Sequence, residues 1–226
     1  MYLLLTAATV AEIQPSVDFL EKNNFTLQSH RVEVLVTGVG AVATTYFLTS
    51  NIRNHRPDII IQAGIAGSFR QNKLGEVVSV EQDSFADMGV WENDQFINIF
   101  DLKLADENKS PFINRSLVNP NQKLLKLLGL EQVKAITVNE ITTDTKRIDW
   151  YKQNSSPAVE SMEGAALHYV CLQENIPFLQ VRAVSNYVGE RNKTKWNLQD
   201  AISNLNEKII SLLNELPKYD ETYFRI

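Results

Sequence analysis

The sequence predicts an α/β fold, a twisted mixed β-sheet flanked by helices in a single domain over residues 1–226. Three observations predict it. Short apolar runs alternate with stretches of helical hydrophobic spacing, the way strands buried on both faces and their crossover helices read. Glycine-bearing segments follow two of those runs directly, at GVG (38–40) and GIAGSF (64–69). The chain is 44% hydrophobic and 22% charged, which excludes disordered, collagen-like and coiled-coil classes.

The first run, YLLLTAA (2–8), reads as a core strand, and 10–23 as the helix that follows it. VEVLVTG (32–38) is rich in β-branched residues; Gly38 and Gly40 end it, and AVATTYFLTSNIRNH (41–55) keeps helical spacing until Pro57 stops it. DIIIQAG (58–64) is a third strand, ending in the small-residue turn GIAGSF. Further strands are GEVVSV (75–80), KAITV (134–138), AVE (158–160) and FLQVRAVS (178–185). A helix covers 162–175, and the amphipathic LQDAISNLNEKIISLLNEL (198–216) closes the chain. Residues 85–120 are less regular, with room for extended or antiparallel pieces. In such sheets ligands bind beyond the carboxyl ends of the strands, so the residues just after each strand are the candidates.

The net charge is −5 and the basic residues are scattered, so the footprint of a nucleic-acid binder is missing and a small-molecule ligand is favoured. One cysteine, Cys171, cannot form an internal disulfide, and the expected compartment is the cytoplasm. The apolar N-terminus has no basic segment ahead of it and meets Glu12 early, unlike a secretion signal, and no run approaches the ~20 apolar residues of a membrane span. His30, His55 and His168 lack metal-ligand spacing, so neither a metal nor a cofactor is expected. His168 and Cys171, together on the 162–175 helix, read as structural. No nucleophile-elbow or P-loop pattern occurs.

Four segments could carry chemistry. GVGAVA (38–43) with Asp58 twenty residues on superficially fits a dinucleotide fingerprint, which keeps an oxidoreductase as the alternative from another class. Asp58 precedes its strand rather than ending it, however, so the glycines read better as a tight strand-to-helix turn. GIAGSF, with Ile65 and Gly67, either lets a ligand approach the backbone or merely packs tightly. In AVESMEGAA (158–166), Glu160 and Glu163 could hold a ribose diol, while an acid there is also favoured simply by a helix N-terminus. VRAVSNYVG (181–189) delivers Arg182 and then Asn186 to a strand end, where the amide suits a purine edge or an Asx turn.

Glu12, GVG, GIAGSF, SMEGAA (161–166) and VRAVSNY (181–187), in this order, resemble the nucleoside phosphorylase and nucleosidase family over nearly the whole chain. FADMG (85–89), VNEIT (138–142) and SNYVGERNKTKWN (185–197) carry a closer likeness to one hydrolytic branch of it. The resemblance implies a nucleoside phosphorylase-like fold, a purine nucleoside substrate cleaved at its N-glycosidic bond, and a homodimer or larger homo-oligomer. By the same resemblance Glu12 activates water, with Arg182 supporting that end, and Met162 and Glu163 hold the ribose. Ile65 and Gly67 contact the substrate, Ile141, Thr142 and Thr143 line the base, and Asn186 faces its edge. The sequence departs from the adenosine-type members, which carry Asp at 186 and a hydroxyl residue at 65, and it has one extra residue between Glu160 and Met162.

Cleaving a ribosyl C–N bond builds an oxocarbenium-like sugar and negative charge on the base, which carboxylates and hydrogen-bond donors stabilise. An amide at 186 suits the paired O6 and N7 acceptors of a 6-oxopurine, which an ionised carboxylate would repel. A phosphate co-substrate would want Arg or Lys at the early glycine segments, yet TAATVAE and TGVGAVA have none and only Arg70 follows GIAGSF. Arg70, Arg191, Lys193 and Lys195 are candidate cations for an anionic substrate tail.

Overall fold

A computed structural model of the chain describes residues 1–71, 73–93, 95–220 and 222–224. Strand β1 (Tyr2–Ala7) is apolar on both faces because helices cover both. Leu3 and Leu5 join the core with helices α1 (Val10–Lys22) and α6 (Leu198–Glu215), whereas Leu4 packs with α2 (Ala41–Asn54) and α5 (Gly164–Glu174). This is the strand-with-two-helical-layers arrangement that continuous apolar runs anticipate. β1 pairs in parallel with β3 (His30–Val36) and β4 (Ile59–Ser68), and β4 in parallel with β11 (Phe178–Tyr187), so four carboxyl ends gather on one edge. The short β2 (Thr26–Leu27) lies antiparallel outside β3.

Beyond β11 the sheet turns back on itself. β11 pairs antiparallel with β5 (Val77–Asp83), β5 pairs parallel with β9 (Glu131–Thr137), and β9 pairs parallel with β10 (Val159–Ser161). β10 then returns antiparallel to the end of β4, closing a ring of five strands filled by Ala66, Val78, Val80, Val133, Ala135, Val159 and Val184. β8 (Leu117–Val118) adds to the edge of β5. A short α3 (Gln122–Lys126) precedes β9.

Two local readings change. GIAGSF is strand as far as Ser68 rather than a turn, because β11 and β10 supply ladder partners on both sides of it. Glycine there lowers the side-chain bulk where neighbours approach closely. Helix α4 (Thr145–Asn154) carried no apolar period, since Tyr151 is its one buried residue; the Asp144 carboxylate caps it by accepting the Arg147 N–H at 3.0 Å. Within 85–120 an antiparallel hairpin, β6 (Gly89–Glu92) with β7 (Gln95–Asn98), rests Trp91 and Phe96 against Trp150 of α4. Gly38 and Gly40, with φ of 79° and 97°, make the tight turn from β3 into α2.

Candidate active site

Glu12 is the third residue of α1 and folds back on the start of its helix. Its Oε2 accepts from the Thr9 N–H at 3.0 Å and the Thr9 hydroxyl at 2.9 Å, in the manner of a capping-box carboxylate. Its Oε1 reaches across the strand ends and accepts the Ile65 N–H at 3.1 Å. A helix-capping role therefore coexists with a place at the sheet's carboxyl edge. Asn206, buried on α6, locks that helix turn: its Nδ2 donates to the Glu12 carbonyl at 2.9 Å, and its Oδ1 accepts from the Ser16 N–H at 3.0 Å.

Arg182 approaches the same strand from the other side. It lies opposite Gly64 in the β4–β11 ladder, and its side chain is fully buried. A Cβ at Gly64 would stand 2.2 Å from Arg182 Nη1 and 3.1 Å from Glu12 Oε1, so the missing side chain is what leaves room for both charged groups beside the strand. Arg182 Nη2 donates to Gln62 Oε1 at 2.6 Å and lies 3.8 Å from Glu163 Oε2. Glu163, at the start of α5, is buried, and its Oε1 accepts the Gly40 N–H at 3.0 Å at the N-terminus of α2. The glycine turn thus presents a helix N-terminus to a carboxylate, a favourable pairing with the helix dipole.

Three residues further along β4, Gly67 has Asn186 on one side and Glu160 on the other. A bulge at Ser185 breaks the β11 register between Val184 and Asn186 and re-aims the amide. The Ser185 hydroxyl donates to Asn186 Oδ1 at 2.8 Å and Nδ2 donates to the Tyr187 carbonyl at 3.0 Å, which leaves the second N–H of Nδ2 unspent. The Asx turn that the sequence offered as the alternative for Asn186 does not form, since the Val188 N–H goes to the Ser68 carbonyl and Asn186 remains in the strand; its two side-chain bonds fix which end of the amide is the donor. Met162 and Ile65 are half-buried, Thr142 is buried, and Ile141 and Thr143 flank it exposed. Among the candidate residues, Glu12, Arg182 and Glu163 are tied together through Gly64 and Gly40, and Asn186 stands beside Gly67 of the same strand.

Asp58 does not belong to this group. Its carboxylate accepts the Tyr2 N–H at 2.6 Å at the amino end of β1, opposite the edge where GVG turns, so no dinucleotide fingerprint forms. Of the cations proposed for a substrate tail, Arg70 pairs with Glu131 and Lys195 with Glu190 at 2.7 Å, and Arg191 lies over the Trp196 ring.

Sequence reasoning missed the residues that hold the charged ones. Gln62 and Asn206 are uncharged polar residues inside apolar elements, and that mismatch is the signal that could have found them. Asp83 was missed as well. Burial raises its pKa to about 6 against the Gln180 amide and the Thr137 hydroxyl, which donates to it at 3.0 Å and accepts the Ala165 N–H at 2.8 Å under the first turn of α5. His168 and Cys171 are fully buried on α5; burial lowers the imidazole to about 4 and pushes the thiol up.

The model of a family described as the phosphorylase superfamily matches residues 15–216. The futalosine hydrolase of Acidothermus cellulolyticus is 27% identical over 185 residues, covering 80% of this chain and 74% of that protein. A 5′-methylthioadenosine/S-adenosylhomocysteine nucleosidase of Geobacillus kaustophilus is also 27% identical, over 80% of this chain and 78% of its own. Among solved structures, the native futalosine hydrolase of Helicobacter pylori superposes with a TM-score of 0.79 at 15% identity, covering 95% of this chain and 98% of that one. The likeness to that structure is one of fold.

Proposed function

The chain belongs to the phosphorylase superfamily, and from that premise we propose that it is a hydrolytic purine nucleosidase, a single domain over residues 1–226, that cleaves futalosine. The products are hypoxanthine and dehypoxanthine futalosine, on the futalosine route to menaquinone. The observation that supports the reading best is that Glu12 and Arg182 flank Gly64 and Arg182 faces Glu163, while Asn186 stands beside Gly67 of the same strand. A purine riboside spanning the carboxyl end of β4 would meet Glu12 and Glu163 at its sugar and Asn186 at its base.

In this reading Glu12 takes a proton from water as the oxygen attacks the anomeric carbon and the bond to the base breaks. Three of the roughly four lone-pair positions of its carboxylate are engaged by Thr9 and Ile65, which holds it rigid and leaves one for water. Glu163 accepts from the ribose hydroxyls and faces the developing positive charge, with Arg182 fixing its carboxylate. Asn186 Nδ2 donates to the O6 and N7 side of the departing base. Hydrolysis is favoured over phosphorolysis because the N–H of Gly40, where an anion would bind, is already bonded to Glu163, whose charge repels phosphate.

The second reading is a methylthioadenosine-type nucleosidase, favoured by relatives of that name at the same identity. Asn186→Asp separates the two. It should shift the kcat/KM ratio tens-fold from 6-oxopurine toward adenine nucleosides, since each mismatched buried polar group loses about 1–3 kcal/mol. Parallel rates on both bases, before and after the change, would contradict the assignment of Asn186 to the base edge.

A homodimer or larger homo-oligomer is part of the proposal, supported by the exposed apolar side chains Val39, Val42, Tyr46 and Phe47 at and after the start of α2. Among the described residues no helix is long and apolar enough to cross a membrane. A cytoplasmic site of action is proposed on the single, buried cysteine.

A further inference from the structure

Glu163 stands at the cap position of α5, where a side-chain acceptor ordinarily takes one of the free N–H groups of the first turn. It takes none of them. Its Oε1 accepts the Gly40 N–H at 3.0 Å and its Oε2 lies 3.8 Å from Arg182 Nη2, so neither oxygen serves its own helix. The helix dipole draws a nearby carboxylate toward those N–H groups, and Glu163 stays turned outward only if they are already occupied.

Other side chains occupy them. The Gly164 N–H reaches Ser161 Oγ at 3.4 Å, and the Ala165 N–H donates to the Thr137 hydroxyl at 2.8 Å. Thr137 is the buried last residue of β9, and the segment after β5 fixes its backbone: its N–H donates to the Ser84 carbonyl at 2.8 Å and its carbonyl accepts the Ala86 N–H at 2.9 Å. Its hydroxyl donates to Asp83 Oδ1 at 3.0 Å, which also accepts the Ser84 N–H at 2.8 Å. With its proton committed to a carboxylate, the hydroxyl oxygen faces α5 as an acceptor, and the neighbouring charge strengthens that role. Gly164 completes the fit. A Cβ there would run into Asp83 Oδ2 and Gln180 Nε2, so its absence lets the buried carboxylate lie against the first turn.

We propose that Asp83 and Thr137 are positioning residues for Glu163: they cap α5 in its place and so keep its carboxylate turned to Gly40, Arg182 and the ribose. This rests on the nucleosidase reading, in which Glu163 holds the ribose hydroxyls. The strand ends and the helix start act as one unit. β5 supplies the charge, β9 supplies the hydroxyl, and α5 is capped from the sheet. Where that link is cut, the Ala165 N–H is released and the Glu163 carboxylate folds back onto it, away from the sugar.

Thr137→Val tests this by removing the hydroxyl while keeping the branched shape. The readout is the kcat/KM preference for futalosine over its 2′-deoxyribosyl counterpart, which lacks a hydroxyl for Glu163 to hold. That preference should fall about tenfold or more, since only the ribosyl substrate has this contact to lose. Asp83→Leu, which leaves the Thr137 hydroxyl without its acceptor, should lower the preference likewise, so the test does not depend on one variant folding. Thr137→Ser and Asp83→Asn keep a hydroxyl and an acceptor oxygen, and both should hold the preference within about threefold. Residues that only support the fold would slow both substrates in parallel, and an unchanged preference in Thr137→Val and Asp83→Leu would overturn the proposal. Equal losses of preference in the Ser and Asn variants would overturn it too. If the unmodified protein cleaved both substrates equally, the ribose role of Glu163 would fall, and if it cleaved neither, the nucleosidase reading would fall; either result takes this proposal with it.

Discussion

Glu12→Gln should lower turnover by about 10²-fold or more and leave KM nearly unchanged, because the amide keeps the shape of the carboxylate and cannot take a proton. The geometry supplies the control. One carboxylate oxygen serves Thr9 at the start of α1 and the other serves Ile65 on β4, so the substitution also disturbs a helix cap. Weakening such a cap costs about 1 kcal/mol, a modest fall in Tm that does not slow chemistry a hundredfold. Steady-state kinetics beside a melting curve separate the effects. A variant with near-normal kcat and a lowered Tm would leave Glu12 a capping residue alone.

Gly64→Ala should act as strongly without replacing any charged residue. Its Cβ would sit 2.2 Å from Arg182 Nη1, closer than atoms approach, and Arg182 is enclosed on every side with its Nη2 on Gln62. The guanidinium has no solvent to swing into, so it must move away from Glu163 or the strand must shift. Overpacking of this kind costs about 1–3 kcal/mol, and misplacing catalytic groups by about 1 Å costs about 10²-fold in rate. The expected outcome is a folded protein, lowered in Tm, with kcat reduced about a hundredfold. Wild-type kcat in this variant would show that the contact of Arg182 with Gly64 has no part in turnover.

Much of the fold was legible because burial on two faces leaves a run such as YLLLTA that composition alone reveals. The edge where ligands bind followed from strand direction. What stayed illegible depends on distant pairing. GIAGSF becomes strand because β10 and β11 flank it, and no local propensity of Gly, Ile or Ser reports that. α4 was invisible for the opposite reason: one buried tyrosine gives no period, and its aromatic contacts come from a hairpin fifty residues earlier. Among the site residues, Glu12 and Glu163 were named from motif order, whereas their supports Asn206 and Gln62 lie in segments whose polar residue looks like an ordinary interruption. The relation of Glu160 to Gly67 required the ladder itself, since ninety-odd residues separate them.

The measurement that tests the central proposal most directly is incubation of the purified protein with futalosine in phosphate-free buffer, followed by chromatographic separation of the products. Free hypoxanthine and dehypoxanthine futalosine should appear in equal amounts, at a rate that added phosphate does not change and that exceeds cleavage of methylthioadenosine. A phosphorylated sugar product formed only when phosphate is added, or faster cleavage of methylthioadenosine, would contradict it.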